Sequence, residues 1–174
     1  MSHVHDTASP YEPLRIKLLR ELFQAERETA VHPAREARRL GASPPGIALR
    51  ALAKHGAVAL DQLSRISAHG REVRSKLGRL VGETVSLARY LVVDRVIDAE
   101  RSYRATLLGL KHGLDLIRLL HEVAERDGDV ALALWCEDTL IARESLIEDA
   151  ERALAWYAAE PLLAVRSGAA LALH

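Results

Sequence analysis

The sequence predicts an all-α fold, four long helices packed as a bundle with one short additional helix in the second connection. Three observations predict it. Apolar residues fill 49% of the 174 positions while aromatics fill 4%, so the core is Leu, Ala, Val and Ile, the usual filling of helix-on-helix packing. Gly and Pro are sparse, and β-branched residues form no alternating runs. Apolar side chains instead recur at spacings of three and four over long stretches. A chain of this length buries one continuous core.

Taken in order, residues 1–11 read as a flexible polar arm ending near Ser9-Pro10, and residues 12–160 as the bundle. The first helix spans about Glu12 to Leu40, with Leu18, Leu19, Leu22, Phe23, Glu26, Ala30 and Leu40 on one stripe and Gly41 closing it. Pro33 lies inside this helix and is expected to kink it, since it removes a backbone donor and crowds the carbonyl of Thr29. Ser43-Pro44-Pro45-Gly46 is a connector and a helix-start signal. The second helix spans about Ile47 to Ala68, using Leu49, Leu52, Gly56, Ala59, Leu63 and Ile66. A short amphipathic helix from Val73 to about Leu91 follows. The third long helix runs from about Asp94 to Arg126, with Gly128 as its stop and Asp129 as the next N-cap. The last helix runs from about Val130 to Ala159 and stops before Pro161. Residues 161–174 form a small, apolar C-terminal tail, too short for a core element and able to dock in a groove or stay loose. A short first turn and a long second crossover suit a ferritin-like bundle.

Composition narrows the function. Lys and Arg total 24 and Asp and Glu total 24, and no dense basic stretch interleaves with aromatics, so the chain is not expected to bind nucleic acid. No apolar run approaches the ~20 residues that span a bilayer, and Met1 to Pro13 holds no signal-peptide core. The expected setting is the cytoplasm of a bacterial cell, away from membranes. The single cysteine, Cys136, sits among Leu132, Ala133 and Leu140 and reads as a small buried hydrophobe. Ser64, Ser67, Ser86 and Ser102 lack the turn glycines of a hydrolase elbow, and no phosphate-cradling glycine loop occurs.

A resemblance extends this reading. The run Leu18-Leu19-Arg20-Glu21-Leu22-Phe23-Gln24-Ala25-Glu26-Arg27 is similar to the opening of the YciF-type stress-associated ferritin-like family. Ala51 to His55 and Asp61 to Ile66 resemble that family's second helix, and Gly128, Ala131 and Leu134 its turn into the last helix. The similarity covers roughly residues 12 to 158. It implies a di-iron centre between the helices, built from one carboxylate on each of two helices and Glu-x-x-His on each of the others. No Glu-x-x-His occurs in this sequence. The positions aligned with ligands are Ala57 and Leu60, then Gly113, and on the last helix the stripe Cys136, Leu140, Arg143 and Ile147. Of the ligand set only Glu26 remains, and the di-iron site is expected to be largely lost.

Glu26 and Arg143 instead put opposite charges at core positions of two helices. Burying either alone costs several kcal/mol, so a bidentate ion pair between them is one expectation. The other is a rotated helix with Arg143 snorkelling outward and Glu26 capped by Tyr103 or water. His55 and His121, near the stripes of their helices, read as hydrogen-bonded core residues. With Glu26 they offer the alternative of a sparse mononuclear zinc or iron site, a further ligand coming from Glu100, Glu137 or Glu144. His112 with Asp115 reads as an exposed pair, Trp135 and Trp156 as packing or a protein contact, and His3 and His5 as parts of the arm. The expected function is a non-catalytic structural or protein-interaction module without a cofactor, a homo-oligomer such as a dimer or bound to a protein partner. The alternatives are iron oxidation or storage at a depleted site and a small-ligand carrier lined by Tyr103, His55 and His121.

Overall fold

The computed structural model describes residues 9–69 and 98–166. They form an all-α bundle of four long helices, α1 (Glu12–Leu40), α2 (Pro44–His69), α3 (Ala99–Asp127) and α4 (Val130–Arg152), followed by short α5 (Ala155–Ala159) and α6 (Pro161–Ala164). The expected short helix between Val73 and Leu91 lies outside the described residues, as do residues 1–8 of the arm and 167–174 of the tail.

Local chemistry sets the helix ends. A proline in its first turn opens α1, and α1 continues through Pro33, which is itself buried. Gly41 closes it at φ +59°, a conformation that glycine adopts without steric cost. Ser43 Oγ accepts the Gly46 N–H at 3.3 Å, so α2 starts at Pro44, three residues before the expected Ile47. Gly128, left-handed at φ +73°, donates its N–H to the carbonyls of Ala124 and Glu125 and ends α3. Asp129 Oδ1 then accepts the Leu132 N–H at 3.1 Å and caps α4.

The end of the last long helix and both termini of the bundle also differ from expectation. The last helix does not run to Ala159: α4 stops at Arg152, and α5 follows after a tight turn. There the N–H groups of Leu154, Trp156 and Tyr157 bond to carbonyls three residues back, the tighter winding that ends an α-helix. Tyr157 beyond the turn is buried against Tyr103, ring centroids 5.5 Å apart. The start of the tail is also tied down. Ala164 packs on the core, and the Arg166 carbonyl accepts the Ala99 N–H at 2.9 Å. At the other end of the bundle, Ser9 Oγ bonds the Asp127 carboxylate and Arg15 reaches Asp127 at 2.9 Å. Residues 9–11 therefore belong to the packed structure, not to the arm.

Each of α1 and α4 packs on both α2 and α3. One apolar cluster joins Leu18 and Leu22 of α1, Ala59 and Leu63 of α2, Leu120 and Ala124 of α3, and Leu132 and Cys136 of α4. A second joins Ala37 and Leu40, Leu49 and Leu52, Tyr103 and Leu110, and Ile147 and Ala150. The order in which each helix meets these clusters gives its direction: α1 and α4 run one way, α2 and α3 the other. Every packed pair is antiparallel, and the parallel pairs lie on the diagonals. Each fully buried Leu contributes on the order of 1.5–3 kcal/mol. Between the two clusters, at mid-height, the core is polar. No described helix is long and apolar enough to cross a membrane.

Candidate functional site

The stripe that α1 turns inward is Leu22, Glu26, Thr29, Pro33, Glu36 and Leu40, spaced four, three, four, three, four. Its one charge at mid-height is Glu26, fully buried. Across the diagonal, α4 presents Arg143, the largest fully buried side chain among the described residues. Arg143 Nη1 donates to Glu26 Oε1 and Nη2 to Oε2, both at 2.6 Å. The planar fork of the guanidinium matches the two carboxylate oxygens, and both bonds are charge-assisted. The outward-snorkelling arrangement is absent here, since Arg143 exposes nothing to solvent.

The other two helices shape the space around this pair. From α2, His55 Nδ1 lies 3.2 Å from Arg143 Nη2. A guanidinium only donates, so Nδ1 is the acceptor and the ring proton sits on Nε2. Burial, then the charge of Arg143, lowers the His55 pKa from 6.5 to about 4, so the ring is neutral near pH 7. Gly56, next in sequence, brings α2 close to α1: a Cβ there would stand 2.7 Å from Thr29 Cγ2 and 3.1 Å from the Ala30 nitrogen. From α3 comes Gly113, where a Cβ would lie 3.7 Å from Arg143 Nη1. That is ordinary van der Waals contact, so a methyl group there would still leave room for the guanidinium. Arg143 Nε finds no hydrogen-bond partner among the described residues.

This arrangement does not fit a two-metal centre. Such a centre needs several anionic or neutral donors facing a common void. Here the single carboxylate is engaged at both oxygens, the imidazole nitrogen that faces inward accepts from the same group, and a fixed positive charge stands in the middle. One aligned position also changes. Ala57 is exposed, because the buried stripe of α2 runs through Leu52, Gly56 and Ala59 and residue 57 lies ~100° past residue 56.

The remaining candidates lie elsewhere. Tyr103 is fully buried in the second apolar cluster and donates its hydroxyl to the Ala150 carbonyl at 2.8 Å, not to Glu26. Burial raises its hydroxyl pKa. His121 stands eight residues beyond Gly113, ~12 Å along the helix. It lines surface clefts on the α3–α4 groove, its Nδ1 3.9 Å from Glu125 Oε2. Its donor atom and those of Glu122 and Glu125 fall within 4.8 Å of one another, but Glu122 already pairs with Arg126 at 3.1 Å. Thus Glu26 and His55 share the centre, while His121 and Tyr103 do not join them. Glu100 bonds Arg104, Glu144 bonds Arg118 at 2.7 Å, and Glu137 lines a cleft beside His121. The pocket expected from Tyr103, His55 and His121 together is not formed by these positions.

No family model, curated protein or solved structure matches the chain. Trp135 is buried beside Cys136, whose thiol pKa burial pushes up to about 12. Trp156 is half-buried and meets Tyr157 edge-on, centroids 5.1 Å apart. Sequence reasoning missed Glu36, which is buried and bonds Arg39 at 3.1 Å, and the spatial role of Gly56. Glu36 had a signal, since it continues the three-four spacing of Glu26.

Proposed function

We propose that this chain is a bundle of ferritin-like type that performs no metal chemistry and serves as a structural or protein-interaction module. The observation that carries the reading is the bidentate Arg143–Glu26 pair, which fills the middle of the bundle with a cation belonging to the chain. Supporting it are the helix directions. Two antiparallel pairs, with α2 and α3 parallel and 29 residues between them in sequence, follow the pattern of ferritin-like bundles with one long connection. The YciF-type likeness of the first two helices agrees with that order, while the ligand positions carry Arg, Gly and Leu.

The chemistry of the centre points the same way. A guanidinium stays charged at every physiological pH, so it neither supplies nor accepts a proton in a catalytic cycle. A carboxylate whose two oxygens are both engaged by a guanidinium is a poor metal ligand. Metal analysis tests this. Protein purified without chelators is expected to carry far less than one iron per chain, and to leave added ferrous iron oxidising at its background rate. Stoichiometric iron that disappears in Glu26→Gln, or catalysed iron oxidation, would overturn the reading.

A further inference from the structure

We infer that the groove between α3 and α4 is a docking site for a basic amphipathic helix of a partner protein. This names the chemistry of the partner for the interaction module proposed above and rests on that reading. Helix α4 is apolar on its outer side as well as its inner one. Val130, Leu134 and Ile141 are 67%, 56% and 65% exposed there. At ~100° per residue they fall within ~40° of one another, a stripe ~16 Å long on the α4 shoulder of the groove. Ala133 and Leu140 of α4 and Ala124 of α3 floor the groove, and the exposed Leu119 lines its α3 wall. An open apolar strip of this kind marks a contact surface.

Charge identifies the occupant. Along the groove, Asp115 and Glu144 hold Arg118, and Glu122 holds Arg126, so these arginines are already engaged. Glu125 and Glu137 line one cleft from opposite helices, and neither bonds an arginine or lysine among the described residues. Glu125 has only His121 beside it, at 3.9 Å. Glu137 stands between Leu134 and Ile141 on the α4 stripe, with Asp138 and Glu148 also exposed on that helix. The one exposed base of α4 is Arg152, at its far end. A partner that fits brings apolar side chains flanked by cations. A helix laid in the groove offers them at spacings of three and four, and ~16 Å is three of its turns. A second copy joined through this groove by a twofold axis would instead set the acidic face against itself.

Fluorescence anisotropy tests the inference with a labelled peptide of about 14 residues, leucines at helical spacings of three and four and lysines elsewhere. It is expected to bind the full chain saturably, one peptide per chain. The same peptide with glutamates for lysines, and a scrambled peptide of the original composition, should not bind. Leu134→Lys should weaken binding by about tenfold or more, as should Glu125→Lys/Glu137→Lys, and the latter variant should take the glutamate peptide. Val31→Lys, an exposed site on α1 across the bundle, should bind as the wild type does. All the replaced residues are at the surface, and circular dichroism establishes that each variant remains folded. Absence of saturable binding by the lysine peptide overturns the inference. So does binding indifferent to both Leu134→Lys and the charge reversal. Sedimentation above the 19.2 kDa of one chain, abolished by Leu134→Lys, would put a second copy in the groove and overturn it too. None of these results alters the iron measurement at Glu26, and iron found at the centre would discard the module reading while leaving the peptide titrations as they are.

Discussion

Replacing Arg143 by methionine strands the fully buried Glu26 carboxylate without its bidentate partner. Loss of one member of a buried pair costs about 3–5 kcal/mol, because the charge left behind keeps its desolvation penalty. Arg143→Met should therefore lower the urea midpoint far more than a surface Arg→Met, and adding Glu26→Leu should recover most of the loss. Equal midpoints for the single and double variants would contradict the pairing. His55 gives a second prediction. Its folded pKa of about 4 lies below the free value of 6.5, so between these the unfolded chain binds more protons. Its contribution to stability is complete above about pH 6.5 and is lost as the pH falls toward about 4. His55→Asn should flatten that part of the stability profile; parallel wild-type and variant curves would count against the assignment. The groups facing His55 here are Arg143 and, through it, Glu26. The two charges were legible in the sequence, since 26 and 143 fall on apolar stripes. His55 was legible as a hydrogen-bonded core residue, but its contact with Arg143 was not, because that depends on how far α2 is turned against α4.

At the level of helices, two glycines separate packing from propensity. Alanine at residue 56 would drive its Cβ into the Thr29 methyl and the α1 backbone, neither of which can yield alone. The gain of ~1 kcal/mol from helix propensity is then outweighed by overpacking, so Gly56→Ala should destabilise by ~1–3 kcal/mol. Alanine at residue 113 meets only ordinary contact with Arg143 Nη1, and Gly113→Ala should be neutral or stabilising in the same thermal melts. Helix ends at Leu40, Gly128 and Asp129 were readable because capping is local chemistry, whereas the start of α2 lies three residues before the expected Ile47 although Ser43-Pro44 signalled it. The stop of α4 at Arg152 was not: Ala153 and Leu154 are ordinary helix residues, and nothing in their identity announces the turn that precedes the buried Tyr157.

For the whole molecule, composition and periodicity carried the reading from sequence to an all-α bundle of four long helices. Helix direction required knowing which stripes meet, and that depends on contacts between residues far apart in the chain. The apolar clusters at the two ends resemble any Leu- and Ala-rich core, and hydrophobic packing by itself tolerates many alignments of such helices. The ion pair does not. Sliding α4 by one turn along α1 displaces the guanidinium by ~5.4 Å, beyond the reach of the carboxylate, and leaves two bare charges in hydrocarbon. A bundle assembled out of step is thus penalised twice at its centre, while in the aligned one two charge-assisted bonds offset the desolvation of both groups.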